Sequence, residues 1–452
     1  MEMELTISLT VSIAEDGANI NEICAAVKDS VVKTLAPTVA EQTVEGIQEH
    51  ILELLSSAAG RQAKRGLGGH PVKGSDTNHC RYRTFTRQGY RPGKRRLKTD
   101  IGNISFTVGY LECRGCGKRL APILDVLDIK PREGHSPSLE LMASEVISAT
   151  SYQRGEDEIS ARGSPPVPRS SAHRRVAGHD FPEGDPQGMV TGMADGTGFK
   201  KWPGKKGDLR VVIGLDSAGK PHPLGTYAGE SWADIAKEVR ERLEEKEVQL
   251  KLFTVDGEIG LDRHLAKAAD DSQRCVWRLP RDLGYALWED GVPLEERKKK
   301  SGELFGMVGI EVPEGDLEMV SPEEKEELKE EISRREDQIE DMVEDFRSRG
   351  YRKAATYLEN ATGKVFSHLY LWLETGIVAP RTTSILENIM RELGRRVKKL
   401  GWNWTDQGIT RVAKIIMLRR YEKEQWDAYW KEFLCLKGRC SIAVNSIERK
   451  AA

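Results

Sequence analysis

The sequence predicts a multidomain α+β protein. Its centre is a mixed β-sheet flanked by helices and split by a long helical insertion; helical, zinc-ribbon-like and helix-turn-helix modules precede it. Three observations lead there. The chain has 452 residues, and at roughly 100–200 residues per domain that length suggests about three domains. From Gly188 the apolar period changes from helical to alternating, and the elements that follow run strand, strand, strand, helix, strand, helix, strand. Charge is also divided into blocks. The formal net charge is −2, yet Arg61 to Arg119 is rich in Lys and Arg with only Asp76, Asp100 and Glu112 as acids, while Glu323 to Asp345 is strongly acidic.

Composition excludes several classes. Charged residues make up 31% of the chain, and no apolar run has the length of a membrane span. The N-terminal stretch MEMELTISLTVSIAEDG is acidic and alternating, unlike a secretory signal. Seven cysteines spread over this length are no disulfide framework and fit a reducing compartment. A cytoplasmic protein is expected. The basic block, balanced elsewhere, is the footprint of a face that binds a polyanion, or else a solvated basic loop.

Taken in order, residues 1–60 read as a short strand followed by helices, with apolar positions at helical spacing in NINEICAAVKDSVVKTLAPTVAEQTVEGIQEHILELLSSA. Residues 61–132 form a basic, glycine-punctuated β module, in which TDIGNISFTVGYLEC alternates as one strand and runs into CRGCGKRLAP. Residues 133–182 turn helical, broken at Gly163 and SPPVP and resumed as RSSAHRRVAG. The sheet domain occupies 183–280 and 381–430, a helical insertion 281–380, and a tail 431–452. Within the sheet domain the first strand is expected to end at Asp195. DLRVVIGLD and HPLGTYAG are the second and third strands, VQLKLFTVD the fourth, ending at Asp256, and QRCVWRL the fifth.

Asp195 and Asp256 therefore close the first and fourth strands, each followed by glycine, and in this order the two strands are neighbours. Taken singly, a strand-ending Asp-Gly is turn chemistry. Two carboxylates meeting at one sheet edge cannot both stay ionised without a cation, and an oxygen-rich site of this kind suits Mg²⁺ or Mn²⁺. A third acid comes from the helix in TTSILENIMRELGRRVKKLG. There Ile385, Ile389, Leu393, Val397 and Leu400 form the apolar stripe. Glu387 lies nearly opposite, with Thr383, Arg391, Gly394 and Lys398. Asp216, Asp234, Glu258 and Asp262 rank below these three because turn or helix surface explains each.

ADGTGFKK, LFTVDGE and TTSILENIMRELGRRVKKLGWNWTDQGITRVAKI resemble the three catalytic blocks of DDE transposases with an RNase H-like catalytic domain. The likeness, over about residues 80–430, is to the Mutator-like and related prokaryotic insertion-sequence groups with a helical insertion before the Glu. The resemblance implies Asp195, Asp256 and Glu387 as catalytic residues and metal ligands. It further implies two Mg²⁺ or Mn²⁺ ions about 3.5–4 Å apart that activate a nucleophile and stabilise the leaving oxygen at phosphorus. Cleavage and strand transfer at element ends would follow, on double-stranded DNA, by a homodimer or higher assembly in a prokaryotic cytoplasm, at the nucleoid. The family's Cys-x-x-His after the second Asp is met by Cys275, but Arg278 stands where His is expected.

Lys200, Lys201, Arg391, Arg395 and Arg396 are candidates for phosphate contacts, which position without reading sequence. SYQRGEDEISARGSPPVPRSSAHRRVAG resembles a helix-turn-helix, with Ser170, Ser171, His173, Arg174 and Arg175 on the candidate recognition helix. Cys113-x-x-Cys116 before Gly117 is half of a zinc site. Either Cys80, with His79 or His70, completes it, or the pair are reduced thiols at a knuckle. Cys24, Cys275, Cys435 and Cys440 read as core or incidental thiols. Trp402, Trp404 and the aromatics of EQWDAYWKEF read as core more readily than as base-stacking platforms. Two alternatives to the transposase stand beside it: a transposase-derived DNA-binding protein without catalysis, and an RNase H-like nuclease that cuts without joining.

Overall fold

The structure, a computed structural model, describes residues 2–5, 19–57, 70–71, 79–80, 84–162, 164–313, 315–399, 403–436 and 440–443. Most of the strand expected in the N-terminal stretch, together with Gly163, Leu400 and Trp402, lies outside them, and the side chains of His70 and His79 are not described. The chain forms two compact units, Met1–His179 with Phe433–Ala452, and Asp180–Glu432. Among the described residues no helix is long and apolar enough to cross a membrane.

In the first unit, helices α1 (Ile20–Ser30) and α2 (Ala36–Ser56) lead into short strands, β1 (His70–Pro71) and β2 (His79–Cys80). Then come β3 (Phe85–Tyr90), β4 (Arg95–Thr99), β5 (Gly102–Phe106), β6 (Gly109–Cys113), β7 (Arg119–Leu120) and the short helix α3 (Pro122–Val126). TDIGNISFTVGYLEC is thus two strands, not one. β5 pairs with β4 and β6 with β3 and β7, because the Gly109 N–H turns to Gln48 Oε1 of α2 (2.7 Å) instead of continuing one ladder. Ile104, Phe106, Val108 and Ile123 form this module's core under α2.

Helices α4 (Pro137–Ala149), α5 (Tyr152–Ala161) and α6 (Arg169–Ala177) close around Leu139, Ala143, Val146, Ile159, Val167 and Ala172. The Ser136 and Ser151 hydroxyls cap the first two of these helices at their N-termini, where unpaired N–H groups need an acceptor.

The second unit is built on β8 (Met189–Lys201), β9 (Lys205–Asp216), β10 (Pro221–Ala228), β11 (Leu250–Val255) and β12 (Ala269–Arg274). Their order in the sheet is β10-β9-β8-β11-β12, antiparallel on the β10–β9–β8 side and parallel from β8 through β11 to β12. The mixed sheet and the adjacency of first and fourth strands are as the sequence predicts. Helices α7 (Trp232–Glu245) and α8 (Ile259–His264) cover one face, with Trp232, Ile235, Val239 and Leu261 packed on Ala194, Val212 and Phe253. The opposite face carries α14 (Ser384–Val397) and α15 (Asp406–Tyr421), with Leu386, Ile389, Leu393 and Ile409 on Met193, Val211 and Ile213.

Between β12 and α14 lie α9 (Arg278–Glu289), α10 (Leu294–Met307), α11 (Pro322–Ser348), α12 (Arg352–Glu359) and α13 (Ser367–Thr375), around a separate core that includes Leu283, Ile332, Phe346 and Trp372. The acidic stretch is most of α11. The last helix, α16 (Lys423–Phe433), buries Trp426 and Trp430, and Phe181 stacks on Trp426 (5.4 Å), so the two tryptophans are core, whereas Tyr429 is half-buried and Phe433 exposed.

Two expected boundaries are corrected. The first strand does not end at Asp195. It runs on to Lys201, because Gly196 to Lys201 pair with β9 from Arg210 to Lys205 and the glycines take extended backbone in that ribbon. QRCVWRL is not the fifth strand. β12 is the polar ADDSQR, an edge strand with one partner, whereas Cys275 and Val276 are a buried crossover and Arg278 begins α9.

Candidate active site

The parallel pairing of β8 and β11 sets Thr254 opposite Met193, so the two chains reach Asp195 and Asp256 side by side at the same end of the sheet. β8 is buried through Ala194, as a central strand covered on both faces should be; Asp195 is the first residue beyond its parallel partner. Each aspartate spends one oxygen on its own backbone. Asp195 Oδ1 accepts from the Gly196 N–H (2.7 Å), and Asp256 Oδ1 from the Glu258 N–H (2.9 Å).

The other oxygens meet at one cation. Arg278, the first residue of α9, donates from Nη2 to Asp195 Oδ2 (3.2 Å) and from Nη1 to Asp256 Oδ2 (2.6 Å). Its Nε donates to Glu387 Oε1 (3.2 Å), which lies 3.1 Å from Nη2. The three acids singled out from the sequence thus share a single guanidinium. The aspartates are 14% and 12% exposed and Glu387 37%, so the site opens on the Glu387 side.

Glu387 sits in the first turn of α14, whose apolar face, Leu386, Ile389, Met390, Leu393 and Val397, is buried. Three ties fix where that helix starts. Thr254 Oγ1 donates to the Pro380 carbonyl (2.9 Å), the Val276 N–H to the Arg381 carbonyl (3.0 Å), and Thr383 Oγ1 to Cys275 Sγ (3.6 Å). Cys275 is therefore a positioning residue under the glutamate helix. The sequence marked it only through the Cys-x-x-His of the resembled family, and otherwise as a core or incidental thiol.

Burial pushes the Asp195 carboxyl above its usual range, and the charges of Asp256 and Glu387 add to that, although Arg278 and the Gly196 N–H pull the other way. Burial likewise works against the charge on Arg278, but Asp195, Asp256 and Glu387 outweigh it and hold the guanidinium protonated. One guanidinium bonded to three carboxylates leaves that group with a formal excess of two negative charges. The donors are all oxygen. This chemistry fits a hard divalent cation.

The lower-ranked acids have structural partners. Glu258 accepts from Trp232 Nε1 (2.6 Å), Asp262 holds Lys364 (2.9 and 3.0 Å), Asp234 lies at the Ser231 cap of α7, and Asp216 accepts turn N–H groups from Ala218 and Lys220.

Among the cations expected to meet phosphate, Lys200, Arg391 and Arg395 are exposed, and Lys201 is paired with Asp406. Arg396 is turned inward: it is 4% exposed and its guanidinium lies 4.9 Å from the Trp404 ring. Trp404 is buried and donates to the Val397 carbonyl (3.1 Å), which makes it core. In the first unit, Ser170, His173 and Arg174 are exposed on α6 and Ser171 half-buried, whereas Arg175 binds Glu140 and His135. The sulfurs of Cys80, Cys113 and Cys116 all lie within 4.8 Å of one another. A backbone N–H, that of Lys118, lowers the Cys116 thiol, while burial raises that of Cys113.

No family model and no curated protein matches the chain. Among solved structures it is similar to the Drosophila P element transposase strand transfer complex, with a TM-score of 0.37 and 12% identity, over 63% of this chain and 92% of that chain.

Proposed function

We propose that this chain is a DDE transposase that cleaves and rejoins DNA at the ends of an insertion sequence, with Asp195, Asp256 and Glu387 as its metal-binding catalytic triad on an RNase H-like sheet. One observation carries the reading: three carboxylates from β8, the end of β11 and α14 converge on one guanidinium. Acids spread so far apart in sequence share one cation only if the fold is built to gather them.

Asp195 Oδ2, Asp256 Oδ2 and Glu387 are the oxygens that would hold Mg²⁺ or Mn²⁺. When bound, such ions lower the pKa of an attacking hydroxyl and stabilise the leaving oxygen of a phosphodiester. The chain's own residues supply the geometry. The backbone N–H groups of Gly196 and Glu258 lock the two aspartates, and the Cys275–Thr383 contact steadies the start of the glutamate helix. Lys200, Arg391 and Arg395, exposed on the same elements as Asp195 and Glu387, meet the phosphates of double-stranded DNA. The three-helix group α4–α6 is the helix-turn-helix of this reading, with His173 and Arg174 toward DNA. Bringing two element ends together calls for a homodimer or a larger assembly, working in the cytoplasm at the nucleoid.

The test uses purified protein, duplexes carrying the ends of the element that encodes the chain, and Mn²⁺ or Mg²⁺. Asp195→Asn, Asp256→Asn and Glu387→Gln are expected to bind the duplex as wild type does and to lose strand cleavage by at least a hundredfold, the scale on which a catalytic group contributes. Wild type that binds the ends and never cuts would establish instead a DNA-binding protein without catalysis. Variants that cut as well as wild type would remove the triad from the reaction.

A further inference from the structure

We propose that Cys80, Cys113 and Cys116 hold a zinc ion that staples the β module of the first unit. In tetrahedral zinc, with Zn–S bonds of about 2.3 Å, thiolates stand about 3.8 Å apart. Cys80 Sγ and Cys113 Sγ are 3.9 Å apart, and all three sulfurs fall within 4.8 Å of one another. A disulfide would need about 2.05 Å, and all three are thiols. The turn is shaped for the task. Cys113 ends β6, the Gly117 N–H closes on its carbonyl (2.8 Å), Gly117 takes φ +67°, and the Cys113 N–H returns to Lys118 (3.0 Å). That fold-back brings Cys116 beside Cys113, while Cys80 arrives from β2, a remote part of the chain. The described side chains supply three donors. His70, paired with Cys80 across β1 and β2, and His79, its neighbour in sequence, are the residues to replace in seeking a fourth.

Purified full-length protein is expected to carry about one zinc per chain, the complement of one such site. Substitution with Co²⁺ should give the thiolate charge-transfer absorption of a tetrahedral site. Cys80→Ser and Cys113→Ser should each lose the metal, and Asp195→Asn should keep it, which separates this site from the carboxylates. Wild type that lacks zinc as isolated, and gives no cobalt–thiolate absorption after metal loading, would overturn the proposal. So would zinc content unchanged in both cysteine variants.

A separate observation bears on Arg278 and rests on the metal-site reading of the triad. We infer that Arg278 is a built-in counter-ion: it holds Asp195, Asp256 and Glu387 together without metal and competes with divalent cations for them. Its three nitrogens engage all three acids while it is only 16% exposed. Carboxylates this close repel one another unless a cation intervenes. Because the guanidinium bonds the same Oδ2 atoms that would face a metal, its positive charge occupies the place a divalent cation would take and repels that cation.

Mn²⁺ binding followed by electron paramagnetic resonance, with thermal unfolding alongside, tests this on the full chain. Arg278→Gln should bind Mn²⁺ at least tenfold more tightly than wild type, about 1.4 kcal/mol, and unfold at a lower temperature without metal. Arg278→Lys, which keeps the charge and loses the fork, should fall between. If Arg278→Gln binds Mn²⁺ no better than wild type while Asp195→Asn and Asp256→Asn abolish binding, the counter-ion role fails and the metal site stands. If Mn²⁺ binding ignores the aspartate variants, both fail.

Discussion

Gly257 follows Asp256 with φ +98°, and a Cβ there would fall 1.4 Å from Arg274 Nη1. Arg274 cannot easily yield, because it is 5% exposed and donates from Nη2 to the Tyr357 hydroxyl (2.7 Å). The glycine therefore serves the backbone turn that aims Asp256. Gly257→Ala combines left-handed backbone for a non-glycine residue with a steric conflict, and should cost about 2 kcal/mol of stability together with most Mn²⁺ binding. Chemical denaturation and a metal titration of the same preparation check it; an alanine variant with wild-type values in both would show that Arg274 moves aside freely. That the chain turns at Asp256-Gly257 was legible in the sequence as a strand end followed by glycine. The reason was not, since Arg274 reaches the turn only through the fold. Arg278 is similar: its position was marked as a departure from a pattern, and nothing local says that its guanidinium reaches Asp195 and Glu387.

At the scale of elements, α14 is an amphipathic helix whose buried face fixes Glu387 against the sheet. Leu393 is fully buried among Met193, Ile213 and Met417. Leu393→Ala should destabilise the chain by about 3 kcal/mol, seen as a lower urea midpoint with an unchanged slope; a midpoint within error of wild type would mean that the helix is not anchored there. The helix and the Ile389, Leu393 and Val397 part of its inward face could be read from periodicity, whereas Leu386 and Met390, also buried, were not in the predicted stripe; the adjacency of β8 and β11 could be read from the order of elements. Two things escaped. β8 continues as a ribbon past Asp195 because pairing with β9 overrides the glycines, a tertiary decision. β12 is polar because it lies on the sheet edge, so the apolar CVWRL beyond it carried the stronger strand signal while belonging to a crossover.

At the scale of the whole molecule, the insertion is a second core attached to the sheet, and His368 reports on it. Its N–H and Nδ1 both meet Gln273 Oε1 (2.9 and 3.0 Å), and Nε2 is buried with no hydrogen-bond partner among the described residues. Burial, helped by the charge of Arg381, lowers the imidazole from 6.5 to about 4. An unfolded chain takes up a proton near pH 6.5 that the folded chain refuses until about pH 4. This contribution is therefore intact above pH 6.5 and falls as pH is lowered through that window, by about 1.4 kcal/mol per unit and about 3 kcal/mol in all. Urea unfolding of wild type and His368→Gln at pH 7.5 and 4.5 should show the smaller acid loss in the variant; equal losses would mean that His368 does not govern this slope.

The insertion also leaves and returns at one place. The Arg274 N–H bonds to the Lys364 carbonyl, and the Val276 N–H to that of Arg381 (2.7 and 3.0 Å), so the closed insertion returns the chain beside the sheet just ahead of Glu387. A ribosome makes Asp195 and Asp256 first and delivers the glutamate last. On the reading proposed above, the growing polypeptide is harmless to the chromosome beside it until translation of the insertion is over. Stalled nascent chains ending before Ser384 should show no Mn²⁺-dependent nicking, and those carrying the whole sequence followed by a linker long enough to clear the ribosomal tunnel should; nicking by the shorter set would mean that two acids suffice.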